Sequence, residues 1–179
     1  MAGGPAPATA LGPAAEQAKA EGNSSFAAGE YESAERSYTR AIELAAQWAA
    51  STAGPADRGA AADAAAAALY SNRSAARLAL GHARDALDDA VAATQRRGEW
   101  GKAWSRRGAA HAALGERAAA AGALRRAYDL EGTPAYESTL VDALLALSGG
   151  VARRTPPPAR PGAPPRPGDF SAEVAAGGD

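Results

Sequence analysis

The sequence predicts an all-α fold: a solenoid of three helical hairpins closed by a capping helix and followed by a disordered Pro-rich tail. Three observations carry this. Ala, the strongest helix former, supplies 54 of 179 residues, whereas Leu, Ile, Val and Phe together number 20. Small, closely packed helices suit that composition better than strands do. Gly81 and Gly115 anchor a repeat of 34 residues, a period that marks helical-hairpin arrays. Near Ser148 the helix formers give way to Gly and dense Pro, and Pro at that density cannot continue a helix.

Residues 1–13 are rich in Ala, Gly and Pro and read as a flexible arm. They offer neither the basic stretch nor the apolar run of a secretory signal, so none is expected. The repeat domain spans 14–147. Its first unit, residues 15–48, places Gly22, Gly29, Tyr31, Ala34, Tyr38 and Ala41 in the repeat frame. An insert at 49–66 holds a Gly54-Pro55 breaker between Ala runs and is expected to lengthen the flanking helices around a loop.

The second unit, residues 67–100, carries Tyr70, Ser74, Gly81, Ala86 and Ala93. The third, residues 101–134, carries Trp104, Gly108, Gly115, Ala120 and Ala127 at the same offsets. Each unit is a helix, a Gly turn and a second helix, and about three units are needed to bury a continuous core. Thr133 then supplies an N-cap and Pro134 a first helical position. A capping helix over 135–147 sets Tyr136, Leu140, Leu144 and Leu147 on one face to cover the end of the stack. The tail, residues 148–179, reads as a disordered or polyproline II spacer.

Whole function classes drop out on composition. There is no Cys, which removes disulfides, thiolate nucleophiles and cysteine-bound metals. The net charge of −1 lacks the basic excess that nucleic-acid binding draws on, and no apolar run is long enough to span a membrane. His82 reads as a solvated turn residue and His111 as a satisfied core histidine, so no metal site is expected. Ser24, Ser25, Ser71 and Ser74 have no His at a catalytic spacing. The expectation is a monomeric binding module, without enzymatic activity and without cofactors.

One polar cluster stands out. Lys19 and Asn23 lie four residues apart on the first helix, Lys102 and Arg106 do so on the fifth, and Asn72 lies on the third. Residues at that spacing share a helix face, and the first helices of successive hairpins line the concave side of such a stack. The chain has 17 Arg but only two Lys, and only two Asn. Every Lys and every Asn therefore belongs to this cluster. Lys102 and Arg106 repel each other on a free helix, and a bound anion would turn that repulsion into attraction.

The strings AKAEGNSSF, LYSNRSAA and WGKAWSRRGAAHAALG resemble the three-repeat tetratricopeptide (TPR) domains of heat-shock co-chaperones, most closely the first such domain of the Hop-type organising proteins. The resemblance runs from Ala15 to Leu147. It implies a carboxylate clamp for the C-terminal Glu-Glu-Val-Asp of cytosolic 70-kDa or 90-kDa heat-shock chaperones, and so a cytoplasmic location. On this resemblance Lys19, Asn23, Asn72 and Lys102 hold the terminal Asp, Arg106 meets the upstream peptide, and Phe26 and Ala75 wall an apolar pocket for the Val. Closeness to the first organising-protein domain favours the 70-kDa partner. A generic scaffold for an unrelated segment, or the targeting part of a larger enzyme, are the alternatives.

Overall fold

The computed structural model describes residues 10–52 and 59–148. The start of the arm, the Gly54-Pro55 breaker and the Pro-rich tail lie outside the described residues. Those described form seven helices: α1 (Pro13–Ala27), α2 (Tyr31–Thr52), α3 (Ala60–Leu80), α4 (Ala83–Arg96), α5 (Gly101–Ala113), α6 (Arg117–Glu131) and α7 (Pro134–Leu147). Neighbours pair as three hairpins, α1 with α2, α3 with α4 and α5 with α6, and α7 packs on α6. The first helices also touch along the stack, α1 with α3 and α3 with α5. This is the all-α solenoid of hairpins that the repeat spacing predicts.

Glycine makes the turns. Gly81 ends α3 in the left-handed region at φ 84°, and the N–H groups of Gly81 and His82 bond back to the carbonyls of Leu78 and Arg77 at 3.1 and 2.9 Å. That pair of bonds satisfies carbonyls the helix end would otherwise leave bare. The same two-bond pattern recurs where Gly115 and Glu116 bond to Ala112 and His111.

Size is complemented inside each hairpin. Gly22, Ser74 and Gly108 share one repeat offset, and Tyr38, Ala90 and Leu124 share another. A Cβ on Gly22 would lie 2.7 Å from Tyr38 Cε1, and one on Gly108 would lie 2.6 Å from Leu124 Cγ. The large partner therefore sits against bare backbone in the first and third hairpins. In the second, where the partner offset holds only Ala90, Ser74 fits and its hydroxyl donates to the Ala86 carbonyl at 2.8 Å.

The core is a string of small clusters, as expected of a stack in which each unit contacts only its neighbours. Leu11, Ala15, Ala18, Ala41 and Leu69 form the first; Ala34, Tyr38 and Ala76 the second. Ala67, Ala93 and Ala103, roofed by Tyr70 and Trp100, form the third, and Ala86, Leu87 and Ala110 the fourth. Leu11, which composition assigns to the arm, is thus a core residue.

The capping helix begins as expected, with the Thr133 hydroxyl oxygen accepting from the Tyr136 N–H. Its apolar face is only half used. Leu140 is buried, but Leu144 and Leu147 are 49% and 45% exposed, a correction to the face that periodicity assigned to the stack. The physical reason is that α7 rests on α6, and no later helix among the described residues covers its outer side.

A polar staple joins α2, α3 and α4. Arg73 grips Asp89 through Nε and NH2 at 2.9 and 2.7 Å and donates to Thr39 at 3.1 Å. Arg77 donates to Glu35 at 2.7 Å and to Asp89 at 2.9 Å. Asp89 is only 3% exposed, so its charge depends on these two guanidinium partners.

Candidate functional site

Across the row of first helices lies a cavity of about 320 Å³ whose wall is formed by Asn23, Phe26, Tyr38, Asn72, Ala75, Lys102 and Arg106. The helical spacing explains the convergence: Asn23 and Phe26 are one turn apart on α1, Asn72 and Ala75 on α3, Lys102 and Arg106 on α5. Six of the seven side chains singled out from sequence therefore meet. Lys19 is not on this wall; its ammonium bonds to Glu16 one turn back on the same helix.

Tyr38 is the member that the sequence marks only as a repeat-frame residue. It is 2% exposed and does pack with Ala34 and Ala76, yet its hydroxyl donates to Asn23 Oδ1 at 2.8 Å. Asn72 Nδ2 donates to the same oxygen at 3.2 Å, linking the first and second hairpins within the cavity lining. A signal was present: only the first repeat has a hydroxyl-bearing residue at the offset that holds Ala90 and Leu124 in the others.

The electrostatics are one-sided. No carboxylate lines the cavity. Burial lowers the pKa of Lys102 below the ordinary lysine value, and the neighbouring Arg106 charge lowers it further. Arg106 is also pushed down by burial, partly offset by Tyr136, and its buried Nε has no hydrogen-bond partner among the described residues. The Lys102 ammonium lies 5.9 Å from the Trp100 ring centroid, where the ring face gives weak support to a cation. Phe26, on the same wall as Ala75, makes an edge-on contact with Tyr31 at 5.3 Å, so the lining includes an apolar part braced from behind. Donors, cations and one apolar patch around an acid-free hollow equip it to take a small anionic group with an apolar neighbour.

No helix among the described residues is long and apolar enough to cross a membrane, and no group of three His, Cys, Asp or Glu among them is placed to hold a metal ion.

No family model matches the chain. A wheat (Triticum aestivum) "Hsp70-Hsp90 organizing protein" is 36% identical over 143 residues, covering 79% of this chain and 21% of the relative; the chain thus spans about a fifth of that relative's length. Among solved structures, the Sgt2 TPR domain from Aspergillus fumigatus is 28% identical with a TM-score of 0.64, covering 92% of this chain and 98% of the other. The first TPR of Spaghetti (RPAP3), bound to the HSP90 peptide SRMEEVD, is 27% identical with a TM-score of 0.61, covering 75% and 94%. With the hairpin stack already described, the likeness defines the class: the fold is that of tetratricopeptide-repeat domains. Within that class it resembles the TPR domains of Hsp70-Hsp90 organizing proteins.

Proposed function

We propose that the cavity is a carboxylate clamp that docks this chain on the C-terminal acidic peptide of an Hsp70 or Hsp90 chaperone, as a co-chaperone or adaptor module without catalysis. The observation that carries the reading is the acid-free wall on which Lys102, Arg106, Asn23 and Asn72 converge. A terminal Asp brings two carboxylates, and charge-assisted bonds to such groups contribute about 1.5 to 3 kcal/mol each. The Spaghetti domain's bound peptide ends in Glu-Glu-Val-Asp, which matches this donor set in charge.

In this reading Asn23, Asn72 and Lys102 hold the terminal carboxylates. Lys19, one turn before Asn23, exchanges Glu16 for the ligand and joins them. Arg106 turns its unpartnered Nε to the upstream acidic residues, and the Val side chain sits between Phe26 and Ala75. Resemblance to the first organising-protein domain favours the Hsp70 tail, which side-by-side titration of Hsp70-type and Hsp90-type peptides tests.

Ordering a short extended peptide costs entropy, so the expected affinity is micromolar, about −8 kcal/mol. Calorimetric titration with free-acid and C-terminally amidated forms of one Glu-Glu-Val-Asp peptide is the decisive experiment. The clamp requires the amidated form to bind at least tenfold more weakly, about 1.4 kcal/mol. Equal binding of the two forms overturns it in favour of a scaffold that ignores chain termini.

A further inference from the structure

We infer that Tyr38 is a positioning residue for the clamp: its hydroxyl sets which end of the Asn23 amide faces the ligand. The inference rests on the clamp reading and assigns a part to a residue outside the set of ligand donors.

An asparagine amide has nearly the same shape either way round, with two donors on nitrogen and two acceptor lone pairs on oxygen. Presented to a carboxylate, the nitrogen attracts and the oxygen repels. Asn23 is exposed, so packing alone does not choose between the two. Both its side-chain hydrogen bonds among the described residues run to Oδ1, from Tyr38 at 2.8 Å and Asn72 at 3.2 Å. Two donors occupy both lone pairs of that oxygen, which leaves the Nδ2 hydrogens as the free end of the group.

Tyr38 is suited to impose this order and Asn72 is not. The Asn72 side chain is itself a reversible amide in the same cavity, whereas a phenol oxygen stays fixed where its ring is fixed. The Tyr38 ring packs with Ala34 and Ala76 and sits close against the bare backbone of Gly22, where an added Cβ would be 2.7 Å from Cε1. Burial raises the Tyr38 pKa, so the phenol keeps its proton throughout the neutral range. A neutral phenol can donate or accept, but its oxygen shares a lone pair with the ring and accepts weakly, so its strong bond is the one it donates to an amide oxygen. Gly22 and Asn23 are adjacent in sequence, so the residue that seats the ring is joined directly to the residue that the ring orients. A role in packing alone needs no hydroxyl, and the equivalent offsets manage with Ala90 and Leu124.

The test uses the full chain, its Tyr38→Phe and Asn23→Ala variants and the double variant, titrated with a free-acid peptide ending in Glu-Glu-Val-Asp. Tyr38→Phe should bind about tenfold more weakly, the scale of one lost hydrogen bond to a charge-binding group. The double variant should bind no more weakly than Asn23→Ala alone, because the hydroxyl acts only through that amide. The Asn23 side-chain amide signals, easily assigned in a chain with two Asn, should shift in unliganded Tyr38→Phe. If Tyr38→Phe weakens binding by the same factor in both backgrounds, Tyr38 acts through packing and the inference falls. It falls equally if the wild type discriminates free acid from amide while Tyr38→Phe changes neither affinity nor the Asn23 signals. If the wild type shows no such discrimination, the clamp itself is wrong, and the unliganded amide signals still report whether Tyr38 orients Asn23.

Discussion

Two pairs of cations with the same four-residue spacing lie on neighbouring first helices, and the molecule treats them in opposite ways. On α3, Arg73 and Arg77 are met by Asp89, Glu35 and Thr39. Burial opposes the Arg77 charge, but the Glu35 hydrogen bond and the nearby Asp89, Glu35 and Asp85 charges outweigh it and raise the pKa. On α5, Lys102 and Arg106 meet no carboxylate in the cavity they line, and both are shifted the other way. The contrast teaches that partnering separates scaffold charge from site charge. A cation pair neutralised from within joins repeats; one left desolvated without a counter-ion is a place for an external anion.

The strongest way to break the comparison is Asp89→Ala. It takes a carboxylate from two largely buried guanidinium groups and leaves only Arg77 with another, Glu35, so denaturant unfolding should show a loss of about 3 to 5 kcal/mol. A loss below about 1 kcal/mol would mean that the network is dispensable. Next comes Arg106→Met, which keeps the aliphatic bulk and removes the unpartnered charge. Peptide binding should weaken by about 2 kcal/mol or more, while the melting temperature holds or rises, the reverse of the Asp89→Ala result. A fall in stability would place Arg106 with the staple.

The smallest effect is pH dependence. Because Lys102 is depressed below 10.5, the folded chain releases that proton before an unfolded lysine does. In the alkaline window just below 10.5 the cost of holding the charge is relieved, so this group's contribution to stability rises with pH. Peptide affinity should fall over the same window, as the clamp loses a charge. Calorimetry in buffers of different ionisation enthalpy should record proton uptake on binding there, and Lys102→Met should abolish it.

What was legible in the sequence follows from which contacts are periodic. The spacing of Gly81 and Gly115 fixes the hairpins, the stacking of their first helices sets Asn23, Asn72 and Lys102 along one side, and i, i+4 geometry adds Arg106 beside Lys102, because all of this follows from the repeat. The Arg73–Asp89 and Arg77–Glu35 bonds span 16 and 42 residues, and no local pattern announces such pairings. Lys19 shares a helix face with Asn23 but also reaches Glu16, and sequence spacing does not choose between the two. Tyr38 was hidden by its own success as a packing residue: burial and repeat offset account for the ring and say nothing of the hydroxyl. Leu144 and Leu147 satisfy helical periodicity, yet burial also requires a neighbour, and α6 does not extend over them.

The division of the core into separate alanine clusters has a mechanical consequence. Each cluster joins residues of two neighbouring hairpins, so every hairpin leans on the next and fraying starts at the ends of the stack, where a neighbour is missing on one side. Asn23, Asn72 and Lys102 each belong to a different hairpin. Any guest gripped by all three is therefore a tie-rod across joints sealed by small side chains, and hydrogen exchange should slow in the second helices and α7, which it never touches directly, as well as beneath it.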